Sequence, residues 1–181
     1  LRRAVTRQSA GLAEDVVAGV RHSATRLDER IARPAQRRQP VYAGIATRAA
    51  ALAVDALAAL SIFVLGSAVF ALIASLVGGI RPHWLAASLL GAEWILVAGG
   101  YFVLFWSAAG QTPGMRLMRL HVRRQGGGGL SVGRAIVRAV GLALAIIPLF
   151  AGFVPALFDE RRRALPDYLA GTVVLHDLAA E

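Results

Sequence analysis

The sequence predicts an all-α membrane protein: two transmembrane helices, a third helical segment that is either broken and re-entrant or spanning, a short cytoplasmic β pair and an amino-terminal amphipathic helix. Three observations predict it. Hydrophobic residues make up 56% of the 181 and charged residues only 17%, against about 45–50% and 25% in average globular chains. Two long apolar stretches each supply the roughly 20 residues that a span requires. The basic residues gather at the ends of these stretches with the one-sided bias of membrane proteins.

Residues 1–40 read as a polar, Arg-rich arm. Leu12, Val16, Val20, Ala24, Leu27 and Ile31 recur at spacings of three and four, which is a helical stripe, and Arg21, Asp28, Glu29 and Arg30 fall off it. Pro34 and Pro40 are expected to break that helix. One reading is a solvated helix packed on its own domain. The other is a membrane-surface or partner helix, although a stripe rich in Ala and Val and lacking Trp and Phe argues against the membrane-surface version. No apolar core of a signal peptide occurs in these forty residues, so a cleavable leader is not expected within them.

The first span runs over residues 49–78, interrupted only by Asp55 and ended by Gly78, Gly79 and Pro82. The second runs over 84–106, interrupted only by Glu93, with Trp84, Tyr101 and Trp106 near its ends as interfacial aromatics. The short loop between them makes the two antiparallel neighbours. Gly110, Pro113 and Gly114 then mark a turn, and residues 116–123 partly alternate polar and apolar as a strand does. Gly126 to Gly129 form a flexible turn, and Ser131 is placed to cap a helix beginning near Val132. The third apolar segment, 135–158, is interrupted by Arg138, Pro148, Gly152 and Pro155, and residues 170–176 read as a second short strand. The organisation is thus an arm over 1–40, a transmembrane domain over 41–176 and a tail over 177–181.

Residues 1–48 hold ten Arg, the 79–84 loop holds only Arg81, and residues 107–138 hold six Arg and no acid. The positive-inside rule therefore places the amino terminus and the 107–138 segment in the cytoplasm. A plain third span would put Arg161, Arg162 and Arg163 outside and would separate the two strands across the bilayer, leaving their edges unpaired. A re-entrant hairpin broken near Pro148 and Gly152 avoids both, because such breaks are tolerated where protein or a cavity covers them. The plain span is the alternative.

Charged residues inside spans cost roughly 2.5–3.5 kcal/mol on insertion scales and usually have a partner or a role. Asp55 is either an ion or proton site or a buried tie, with Arg119, Arg134 and Arg138 as candidate charge partners. Arg48, seven residues earlier, shares its helix face about 10 Å away along the axis, too far for a direct pair. Glu93 is a candidate proton-relay group, or a neutral hydrogen-bonding side chain.

Several classes are excluded or disfavoured. The net charge of +9 is carried entirely by Arg, but no recognition-helix or stacking-sheet pattern accompanies it, so no nucleic-acid partner is expected. There is no Cys, His83 and His121 are isolated, and no metal-ligand spacing, phosphate loop or nucleophile elbow occurs. The expectation is a non-enzyme without metal or cofactor.

Arg48 with Asp55, the run Gly110-Gln111-Thr112-Pro113-Gly114 followed by Arg116-Leu117, and Asp167-Tyr168-Leu169-Ala170-Gly171-Thr172 resemble the RDD family of bacterial membrane proteins over about residues 41–176. The family is named for one Arg and two Asp, which correspond here to Arg48, Asp55 and Asp167. The Gly-Lys usual after the Gly-Gln-Thr turn reads Gly114-Met115 in this chain. The resemblance implies a multi-span bacterial inner-membrane protein, loosely linked to transport, some relatives being described as sodium/proton antiporters. Two functions follow as expectations. The first is an accessory or assembly subunit of a transport complex, contacting the lipid bilayer and other membrane subunits through residues 1–40. The second is an ion-coupled transporter using Asp55 and Glu93 and acting as a homo-oligomer; Gly91, Ala92, Gly99 and Gly100 allow close helix packing, within or between chains.

Overall fold

The computed structural model describes residues 2–33, 36, 42–76, 78–79 and 81–177, and side chains from Leu12 onward. Helix α1 covers Arg2–Ile31, α2 Ile45–Leu76 and α3 His83–Ala109. A short helix α4, Pro113–Leu117, leads into strand β1, Leu120–Arg124. Helix α5, Val132–Ile146, is followed by a 3₁₀ helix, Ala151–Leu157, then by helix α6, Leu165–Ala170, and strand β2, Thr172–His176.

Helices α2 and α3 are long and apolar enough to cross a membrane. At 1.5 Å per residue, the 32 residues of α2 exceed a bilayer core about 30 Å thick. Helix α2 is therefore longer than the slab is thick, and Arg48 lies in its first turn. Leu57, Leu65, Leu72 on α2 and Ile95, Leu96, Leu104 on α3 are all more than half exposed, as side chains facing lipid should be.

The third segment is broken. Helix α5 and the 3₁₀ helix meet at 102°, across a bend in which Leu149 and Phe150 take positive φ beside Pro148. The 15 residues of α5 reach about 22 Å, short of a crossing. The two strands pair antiparallel, Val122 opposite Val174, so the segment between them leaves one sheet and returns to it. The segment is thus bent and returns to the sheet it left, as the expected re-entrant hairpin does and a single straight helix would not. Tyr42 bridges to Leu175 and the Ala43 amide donates to the Val174 carbonyl at 3.0 Å. The chain entering α2 thus lies on the free edge of β2.

The core sits at this sheet end. Met118, Leu120, Val122, Val174, Ala43, Ala135 and Trp106 form it. The strand expected from Arg116 begins only at Leu120. Residues 113–117 are helical because Thr112 accepts the Met115 amide at 3.2 Å as N-cap and Pro113 suits the first helical position. Just beyond β2, the Asp177 amide donates to the Arg119 carbonyl at 2.8 Å.

The arm docks the wrong way round for an ordinary amphipathic helix. Its apolar stripe points outward: Leu12, Val16, Val20, Leu27 and Ile31 are exposed, and only Ala24 of the stripe is buried. The inward face carries the polar groups. Arg21 donates from Nε and Nη2 to the Leu117 carbonyl, at 3.0 and 2.7 Å, closing the end of α4. Asp28, read from sequence as lying on the polar face, is 5% exposed. It accepts the amides of Ala46 and Thr47, at 2.7 and 3.0 Å, and the Thr47 hydroxyl. Those are open donors of the first turn of α2, so a carboxylate eighteen residues upstream caps a membrane helix. Gly44 is required for the approach, since a Cβ there would lie 2.0 Å from the Asp28 carboxyl carbon. Pro34 and Pro40, expected to stop the arm, lie outside the described residues; α1 ends at Ile31. Gln36 then donates to the carbonyls of Leu157 and Asp159 at 3.1 and 3.0 Å, tying the arm to the end of the 3₁₀ helix.

Asp28→Ala should strand these buried donors and cost about 1–3 kcal/mol. The expected readout is a lower thermal midpoint in detergent with faster amide exchange over 45–50. Unchanged exchange there would mean that the cap does not hold α2.

Candidate functional site

Three charged groups meet where α2, α5 and α6 converge at the sheet end. Arg48 lies in the first turns of α2 and Arg138 on the inner face of α5, exposed 7% and 4%, and Asp167 on α6 is fully buried. Arg48 donates from Nη1 to Asp167 Oδ2 at 2.5 Å. Arg138 donates from Nη1 to Asp167 Oδ1 and, at 2.5 Å, to the Thr172 hydroxyl. The Ala164 amide adds a bond at 3.0 Å to Asp167 Oδ2, starting α6. Burial pushes the Asp167 carboxyl up, but the charges of Arg138 and Arg48 outweigh it and bring it down to about 2. The Arg138 guanidinium also stacks on Trp106, 4.8 Å from the ring centroid.

Asp55 sits two turns further along α2 and is held by neutral donors. Tyr101 of α3 donates at 2.9 Å, the Thr112 hydroxyl at 2.5 Å and the Gly114 amide at 2.7 Å. The Thr112 hydroxyl works twice, accepting from Met115 while donating to Asp55. A Cβ on Gly114 would fall 2.1 Å from the Ala51 carbonyl, so only glycine lets α4 press its amino end against α2. The Gly-Gln-Thr-Pro-Gly run is thus a lock: an N-cap, a first-turn proline and a side-chain-free contact, all aimed at one carboxylate.

A family model described as the RDD family matches residues 42–171. The chain belongs to the RDD family. No curated protein and no solved structure matches it. In this RDD chain Arg48 and Asp167 form one ion pair, whereas Asp55 anchors a separate lock, so the three family-named residues are not one contact cluster.

The expected partners of Asp55 are elsewhere. Arg138 is engaged by Asp167, Arg134 donates to the Ala170 carbonyl at 3.0 Å, and the exposed Arg119 takes a left-handed φ of 54° at the turn into β1. Asp55 is satisfied instead by the amino end of α4 and by Tyr101. Glu93 also lies apart, half-buried on α3 and accepting a hydrogen bond from Ser67 of α2 at 3.0 Å. Sequence reasoning missed Asp28, Tyr101 and Thr112. The N-cap Thr before Pro113 is a legible signal for a helix start, but nothing in the sequence says which carboxylate its hydroxyl meets. Among the described residues no group of three or more His, Cys, Asp or Glu is placed to hold a metal.

Proposed function

We propose that this RDD protein is an accessory or assembly subunit of a membrane transport complex, without enzymatic chemistry of its own. In this reading it lies in a bacterial inner membrane with the arm and sheet facing the cytoplasm, which agrees with the crowding of Arg at that end. The observation that carries the reading is the orientation of α1. Its Arg21 and Asp28 turn inward to cap α4 and α2, and its apolar stripe, with Val16 64% and Ile31 54% exposed, is left for a helix of another subunit. Asp55 and Asp167 support it as well, because the described donors of the fold already occupy both carboxylates.

The test is mild-detergent purification of the tagged full chain, with mass spectrometry of what accompanies it, beside Val16→Glu/Val20→Glu. These positions leave Arg21 and Asp28 in place, so the fold survives while the stripe is spoiled. The expected result is a stoichiometric membrane partner lost from the variant at an unchanged thermal midpoint. A homogeneous homo-oligomer without a partner would favour ion-coupled transport instead. That second reading has one observation behind it: Glu93 is a half-buried carboxylate within a span whose described hydrogen bond is a single one, from Ser67.

A further inference from the structure

Helices α2, α3 and α5 and the bend after α5 enclose a partly open cleft of about 820 Å³, within the roughly 300–1,000 Å³ of small-molecule sites. Its walls are apolar throughout, and small residues make its width: Ala53 and Ala56 on α2, Ala98 and Gly99 on α3, Ala139 and Ala143 on α5. Leu52, Phe102, Leu142 and Phe153 line both this cleft and a recess of about 40 Å³ at the sheet end. Arg48, Arg138, Trp106, Asp55 and Asp167 also line the recess.

The polar groups of the recess are unbalanced. Arg48 Nε and Nη2, Arg138 Nε and Trp106 Nε1 are buried donors with no hydrogen-bond partner among the described residues, a rare and costly condition. Two guanidinium charges face the one carboxylate of Asp167, and the Asp55 oxygens already take three donors. An oxygen of one water's size needs roughly 10–15 Å³, so the recess has room for a carboxylate and not for a phosphodiester with its substituents.

We infer that the cleft and recess together bind a long-chain carboxylate, its hydrocarbon chain lying along the apolar walls and its carboxylate accepting from Arg48, Arg138 and Trp106. A helix of another subunit fits less well. It is about 10–12 Å wide with its side chains, and its backbone carbonyls are already bonded within it, so only a side chain could reach the recess. The site is independent of the proposed role in a transport complex.

The experiment uses the full chain in phosphatidylcholine nanodiscs with Trp84→Phe. The remaining tryptophans, Trp94 and Trp106, line the cleft and the recess. The probe is stearic acid dibrominated in mid-chain, which quenches tryptophan emission on contact, compared with its methyl ester. The expected result is saturable quenching by the acid, at least about tenfold weaker for the ester. Gly99→Phe should abolish it, since a Cβ there meets nothing within 4 Å and the added ring fills the cleft without touching the recess. Ala143→Phe fills it from the opposite wall as a second variant. Quenching that never saturates, an ester as effective as the acid, or cleft-filling variants that fold and quench like the parent would each overturn the site.

Discussion

Asp167→Asn is expected to destabilise the protein more than any other single conservative change. The substitution keeps the shape of the side chain and removes its charge, leaving Arg48 and Arg138 buried and uncompensated. Breaking a buried pair in this way costs about 3–5 kcal/mol, a large part of the roughly 5–15 kcal/mol that stabilises a folded domain. The loss reaches three elements, because Arg48 of α2 and Arg138 of α5 both donate to this one carboxylate of α6. The check is the thermal midpoint in detergent, with Arg48→Met added to the Asn variant. Removing one stranded charge should restore part of the loss, which a packing defect alone would not do. A midpoint equal to the parent's would show that the ion triad does not hold the sheet end.

The same triad sets an acid limit. The Asp167 carboxyl lies at about 2 when folded and near 3.9 when unfolded. A depressed folded value means that its contribution is complete above about pH 4 and is lost as the pH falls through about 2. Neutral and mildly acidic conditions leave it untouched. The difference in stability between the parent and Asp167→Asn should therefore be flat from pH 7 to about 4 and shrink below. A difference that closes near neutrality would contradict the assignment.

Asp55→Asn should release the lock on α4. Asparagine offers one acceptor oxygen and an amide that can only donate, while Tyr101, Thr112 and Gly114 all present donors. Hydrogen bonds to a charged group are worth about 1.5–3 kcal/mol each, so a loss of roughly 2 kcal/mol is expected once the amide faces one of them. Hydrogen exchange should quicken over residues 112–118 and stay slow in the buried part of β2. The measurement also separates the two functional readings. A structural tie loses stability and local protection. An ion-carrying carboxylate would lose flux in proteoliposomes with the midpoint and exchange unchanged, and that outcome would move the protein to the transporter class.

The sequence by itself determined the membrane class and the two spans, and it pointed to a break in the third segment and to the strand pair. Each of these rests on local composition or on spacing along the chain: a run of some twenty apolar residues, a mid-segment Pro148, an alternation ending in Thr172 to Leu175. It also singled out Asp55 and Glu93 as charges inside the spans, and the family resemblance added Arg48 and Asp167. What only the tertiary structure decided was who meets whom. Asp167 lies 119 residues from Arg48 and Asp55 lies 57 from Thr112, and no period in the chain encodes such distances. Charge alone suggested an Arg for Asp55, yet its donors are two hydroxyls and an amide, while Arg48 and Arg138 pair with Asp167. The arm shows the same limit. Its stripe is plain in the sequence, and periodicity says that one face is apolar, but not which face the rest of the protein takes. Here the capping needs of α2 and α4 took the polar side, and the apolar side was left outward.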